Sequence, residues 1–289
     1  MSSQPPSFEG DWYFEAERDG FAHGVHLRER ILEEQTPFQH MEIVDSEPLG
    51  RALILDRALQ TSLNDEFMYH EMIVHVPLVT HQHPDRVLVI GGGDGGTLRR
   101  VLQHPVKEPT QVEIDRAVVD ACKAHLPEIS DGAFDNPRAR LVIGDGVQFM
   151  RDNPGGFDVV IVDSTDPIGP AVQLFQEPFY RDVARSLADD GLMVAQSSSP
   201  LFMADELSDQ VKQLRKVFPI VRTYLGIVTG YPGGLWSYTI GSKRYDPTVI
   251  DQASITSTLR DRGISTRYYS GAVHHAAFAL PPFIADLVA

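Results

Sequence analysis

The sequence predicts an α/β fold in which a doubly wound parallel sheet follows a smaller, β-rich N-terminal part. Three observations predict it. From Arg86 onward, short strands that are apolar throughout alternate with helical segments, as when both faces of a sheet are covered. A glycine-rich turn at 91–96 leads from the first of these strands into a helix. The first third instead shows extended stretches separated by turn-prone residues.

Taken in order, residues 24–30, 38–44 and 51–55 read as strands, with a turn at 46–50. Residues 64–76 read as a helix that Asn64 or Asp65 caps and Pro77 stops. Apolar residues lie nearly all round it, which predicts burial between two layers. The apolar run 87–90 opens the larger sheet, with a helix at 97–103. Strands follow at 111–114, 141–143, 159–162 and 191–195, with helices at 118–126 and 207–217. Segments 221–228 and 236–241 read as further strands near the sheet's end.

Composition narrows the function. The chain has 289 residues, enough for one large domain or a small domain beside a larger one. Its single cysteine, Cys122, rules out an internal disulfide and favours a reducing compartment. Residues 1–10 lack a basic-then-apolar signal pattern, and no apolar run approaches membrane-spanning length, so a cytoplasmic location away from membranes is expected. With 25 basic and 40 acidic side chains, the net charge of -15 argues against a nucleic-acid partner and suits a cationic ligand.

The chemistry gathers at strand ends. Gly91, Gly93 and Gly96 satisfy G-x-G-x-x-G, and Glu113 ends the next strand where an acid grips ribose hydroxyls. Asp94 already brings a carboxylate to that turn, so a second anion such as a pyrophosphate is repelled and a cationic sulfonium or ammonium attracted. This favours S-adenosylmethionine or a relative over NAD. Asp145, in Gly144-Asp145-Gly146, can serve adenine's exocyclic amine or cap the next helix; the residues leave both roles open. Asp163 and Asp166 lie in a proline-stiffened loop after the fourth strand, beside the nucleotide turn. Such a group of carboxylates binds a polycation, and one of them can accept a proton. An alkyl amine with a pKa of about 10 must lose its proton before attacking a sulfonium carbon. The donor carries its own leaving group, so no metal is required. His81 and His83 lack a matching ligand pattern and read as a solvated loop.

Over residues 12–281 these segments resemble the spermidine synthase family of polyamine aminopropyltransferases. The resemblance is carried by Tyr69-His70-Glu71, Val89 through Gly96, Val112-Glu113-Ile114-Asp115, Gly144-Asp145-Gly146 and Asp163 through Ala171. Tyr231-Pro232 and His274-x-Ala276-Ala277-Phe278-x-Leu280-Pro281 add to it. It implies a Rossmann-like, methyltransferase-type domain at 78–289, and an N-terminal β-strand domain with its connecting helix at 1–77. A homodimer or homotetramer is also implied. By the same resemblance Asp163 is the proton acceptor, and Asp94 holds the aminopropyl ammonium of decarboxylated S-adenosylmethionine, which is a co-substrate; no cofactor is implied. Gln39, Glu113, Asp145, Gly146 and Pro170 complete the donor site. Gln60, Tyr69, His70, Asp166 and Tyr231 line the channel of a diamine or polyamine acceptor, with putrescine the default and agmatine, cadaverine or spermidine as alternatives. A methyltransferase, an NAD-dependent oxidoreductase and a non-catalytic polyamine or nucleotide binder are the rival classes. The chain departs from the family at Arg57, at Arg99-Arg100, at Thr229-Gly230, and at Gln196 through Ser199, where an acid is often found. The last two departures put acceptor identity in question.

Overall fold

The computed structural model describes residues 8–16, 20–167 and 169–289, with the side chains of residues 169 and 170 also left undescribed. Five strands, β1 (Trp12–Ala16), β2 (Ala22–Gln35), β3 (His40–Ser46), β4 (Gly50–Leu55) and β5 (Ala58–Ser62), pair in chain order as an antiparallel meander. The three strands expected here are present, and β1 and β5 flank them as the outer strands.

Helix α1 (Glu66–Thr80) then crosses to the larger sheet, and all but one of its residues are buried. The expected burial all round is therefore present, but two details differ. Asp65 occupies the N-cap position without capping the helix, and Pro77 lies inside it. The helix continues because its final turn is re-anchored: the Thr80 hydroxyl donates to the Val76 carbonyl and the His81 N–H to the Pro77 carbonyl. His81 is consequently buried rather than solvated, with its ring edge-on to Tyr245.

The larger sheet comprises β6 (Arg86–Gly91), β7 (Glu108–Glu113), β8 (Arg140–Ile143), β9 (Phe157–Asp163), β10 (Leu187–Gln196), β11 (Ile220–Ile227) and β12 (Leu235–Ser242). Their spatial order is β11-β12-β10-β9-β6-β7-β8. Every strand expected from an apolar run is present. The five from β6 to β10 are parallel, whereas β12 pairs antiparallel with β10 and β11 with β12, so the sheet is mixed. Short helices α2 (Gly96–Leu102), α3 (Arg116–His125), α4 (Pro127–Ser130), α5 (Gly146–Asp152), α6 (Glu177–Ser186) and α7 (Ala204–Arg215) fill the crossovers. Helices α8 (Gln252–Asp261), α9 (Gly271–Ala277) and α10 (Pro282–Leu287) close the chain.

One core lies between α1 and one sheet face, joined by α8 and α9, and a second between the other face and α5, α6 and α7. Both faces are thus covered, the reason the strands are apolar throughout. A third cluster packs Met41, Ile43, Leu53 and Leu55 of the meander against Val118, Cys122 and Leu126 of the α3 region. Among the described residues, no helix is long and apolar enough to cross a membrane.

Candidate active site

The order of the larger sheet reverses at β6. The chain leaves β6 for β7 and β8, then returns to the other side of β6 for β9. Such a switch point opens a crevice beyond the carboxyl ends of the strands. In register, Gly91 at the end of β6 stands beside Asp163 at the end of β9. Gly91 has φ +85°, and a Cβ there would lie 2.1 Å from the Asp163 carbonyl oxygen. Only glycine permits that approach, and the Gly92 N–H closes it by donating to the same carbonyl at 2.8 Å. The glycine turn and the acid are therefore held as one unit.

Asp163 accepts the Tyr69 hydroxyl on Oδ1 and the Thr97 hydroxyl on Oδ2, each at 2.6 Å. Each carboxylate oxygen retains a second lone pair for another donor. Burial, with the charge of neighbouring Asp94, pushes its carboxyl above the usual carboxylate range. Asp94 behaves oppositely. Its burial opposes ionisation, but the His70 imidazole 3.5 Å away and the Gly96 N–H at 2.7 Å outweigh that and hold it below the usual range.

Glu113 ends β7 and accepts the Asp115 N–H at 2.8 Å; burial nonetheless pushes its carboxyl up to about 7. Asp145 caps α5, its Oδ1 accepting the Val147 N–H at 2.7 Å, while the residue also borders the cavity. The capping role left open by the sequence is thus present alongside a place in the cavity wall. Gln39 donates to Asp115 at 3.1 Å, and Asp115 also accepts the Thr36 hydroxyl.

On the opposite side, the Gln60 side chain donates to the Ala58 carbonyl, and the Gln60 backbone carbonyl accepts the Tyr231 hydroxyl. Tyr231 packs edge-on against Tyr69 and Trp236. Asp166 accepts the Ser198 hydroxyl at 2.6 Å and the Gln196 amide at 3.4 Å. Burial raises its carboxyl pKa against both hydrogen bonds.

One cavity is bordered by Gln39, Gln60, Tyr69, Asp94, Glu113, Asp145, Gly146, Asp163, Asp166 and Tyr231. Asp94 and Asp163 thus share one space. Two expected residues stand apart: His70 does not border the cavity but lies behind Asp94, and Pro170 lies outside the described side chains. Sequence reasoning missed Glu15 and Trp236, which border the cavity from β1 and β12, and Thr97, which holds Asp163. Thr97 was findable, since it opens the helix after the glycine turn. Glu15 was not, because nothing local marks a strand acid as bordering a cavity shared with another sheet.

The chain is matched over residues 66–252 by the family described as "Spermine/spermidine synthase domain" and over residues 11–62 by that described as "Spermidine synthase tetramerisation domain". It is 49% identical over 276 residues to a polyamine aminopropyltransferase of Desulforudis audaxviator, covering 95% of this chain and 98% of that protein. It is 46% identical over 280 residues to the polyamine aminopropyltransferase of Moorella thermoacetica, covering 96% of each. Among solved structures, a spermidine synthase in complex with the transition-state analogue AdoDATO superposes with TM-score 0.92 at 38% identity, covering 100% of this chain and 98% of that one. The spermidine synthase of Thermotoga maritima does so with TM-score 0.90 at 37% identity, covering 100% and 97%. With both sheets accounted for by these matches, the chain belongs to the spermine/spermidine synthase family and is an aminopropyltransferase.

Proposed function

We propose that this aminopropyltransferase carries the aminopropyl group of decarboxylated S-adenosylmethionine to putrescine, releasing methylthioadenosine. The observation that carries the reading is the pairing of Asp163 and Asp94 in one cavity with opposite protonation tendencies. Asp94 stays anionic and attracts the donor's ammonium. Asp163, with its carboxyl held above the usual range, is a stronger base than an ordinary carboxylate and suited to receive the proton. Glu113, Asp145, Gly146 and Gln39 receive the adenosine side of the donor. The acceptor nitrogen's lone pair attacks the methylene carbon next to the sulfonium. A C–N bond forms, the C–S bond breaks, and its electron pair neutralises sulfur as the thioether. The proton leaving nitrogen goes to Asp163, while Tyr69 and Thr97 keep that carboxylate aligned.

Intact S-adenosylmethionine fits less well, because its carboxylate would meet Asp94. A longer or differently charged acceptor (agmatine, cadaverine or spermidine) is the second reading. What favours it is the stretch from Gln196 through Ser199, which lacks the acid often found there and whose Ser198 hydroxyl occupies one oxygen of Asp166. The test is incubation with decarboxylated S-adenosylmethionine and a panel of amines, with products identified by mass. Spermidine from putrescine supports the first reading, and a preferred product from another amine replaces it. Asp163→Asn should lower turnover by about 100-fold or more with donor affinity kept within a few-fold. Near-normal turnover in that variant removes the proton-acceptor role. The match to a tetramerisation domain over residues 11–62 supports assembly of several copies.

A further inference from the structure

His70 is buried, does not border the cavity, and is the α1 residue next to Tyr69. Its Nδ1 lies 2.8 Å from Glu66 Oε2, and its Nε2 lies 3.5 Å from Asp94 Oδ2. Both neighbours are carboxylates. A neutral imidazole has a single N–H, so one ring nitrogen would direct a lone pair at a carboxylate oxygen. An imidazolium has two N–H groups and satisfies both. Gly96 makes the room, since a Cβ there would lie 2.2 Å from the ring's Cε1.

The surrounding charges point the same way. From α2, Arg99 and Arg100 approach Glu66 Oε1 at 2.7 and 3.4 Å. Arg100 also lies 3.6 Å from Glu71 of α1. From β9, Asp163 adds a further acid to the cluster. Glu66, Glu71, Asp94 and Asp163 are four acids against two arginines, and a charged His70 narrows that imbalance to four against three.

We propose that His70 is a positioning residue, a standing imidazolium that keeps Asp94 ionised and aimed at the donor while Asp163 is left to titrate. This rests on the donor and proton-acceptor roles proposed above. Burial would discharge the ring, but Asp94 and Glu66 outweigh it and hold the ring's pKa up to about 10. The same positive charge opposes the upward push on Asp163.

Nitrogen-15 NMR of the imidazoles in the full-length protein tests the charge, with His70 assigned by the signals lost in His70→Gln. Doubly protonated shifts at about pH 8.5 are expected; a neutral tautomer there overturns the proposal. Steady-state kinetics of His70→Gln test the role. Loss of the His70–Asp94 ion pair should raise the donor KM by about 10- to 100-fold. The acid limb of the kcat/KM profile should move to higher pH, and the acceptor KM should stay within about twofold. A raised acceptor KM with an unchanged donor KM would instead make His70 an acceptor ligand and overturn the proposal. In an Asp94→Asn background, His70→Gln should add less than about threefold, because the two act as one unit; independent, multiplicative effects also overturn it. If wild-type protein yields no aminopropylated amine, the functional reading fails while the NMR result still decides the charge of the ring.

Discussion

In its proposed donor-binding role, Glu113 ties substrate binding to pH through a single group. Its carboxyl is pushed up to about 7 because burial outweighs the backbone N–H groups that favour its anion. Below that value the folded protein holds a proton there. A donor whose hydroxyls and positive charge prefer the anion must expel it. Donor affinity should therefore rise as pH increases through about 6 to 8, with net proton release near pH 7. Calorimetry in buffers of different ionisation enthalpy measures that release, and zero release at pH 7 contradicts the assignment. The principal acids of the site, Asp94, Glu113 and Asp163, were legible because each lies at or just beyond the end of an expected strand that ends at the crevice. His70 was legible as a motif residue, but its position behind Asp94 was not. A helical repeat places it beside Tyr69, yet only the packed structure shows that a neighbour on the same helix can face another acid.

At the scale of elements, the strands of the larger sheet were readable because burial on both faces removes polar residues from them. Their direction was less so: β11 and β12 mix apolar with polar residues, and nothing in them marked that they run antiparallel. The end of α1 was misread for a physical reason. Proline inside a helix costs about 3 kcal/mol or more, yet Leu78 and Val79 beyond it are buried in the core, and their burial offsets the loss. The outer strands β1 and β5 are short and escape a pattern search, although β1 carries Glu15 to the cavity. The turn after β6 makes a sharp prediction. Gly91→Ala combines positive φ with a backbone collision, so it should destabilise the fold by about 3 kcal/mol or more. Donor binding should be lost with it. Chemical denaturation measures the first, and a cost below about 1 kcal/mol would show that the turn is more compliant than described.

At the scale of the whole molecule, the cavity has walls from both sheets, and a few buried polar groups hold those walls together. Asp65 accepts the Ser62 hydroxyl at the end of β5, together with the Thr229 hydroxyl and the Gly230 N–H of the loop that carries Tyr231. Asp115 does the same on the donor side through Thr36 and Gln39. Such joints have no periodicity and link residues distant in the chain, so they left no trace in a reading of local patterns. Asp65→Ala strands the buried donors of Ser62 and Gly230, beside the hydroxyl of exposed Thr229, and should destabilise the fold by about 3 kcal/mol. In the surviving folded fraction it should raise the acceptor KM more than the donor KM. Equal effects on the two constants, in steady-state assays at a temperature where the variant is folded, would show that the loop is held by other contacts.

Three successive side chains of α1 address three different neighbourhoods: Tyr69 reaches β9, His70 the glycine turn, and Glu71 the backbone N–H groups of residues 267–269. A helix advances by about 100° per residue, so inserting or deleting one position upstream would swing all three off target together. This segment is therefore a keyed shaft whose angular setting is read at several points at once, and its length is constrained even where individual side chains are replaceable.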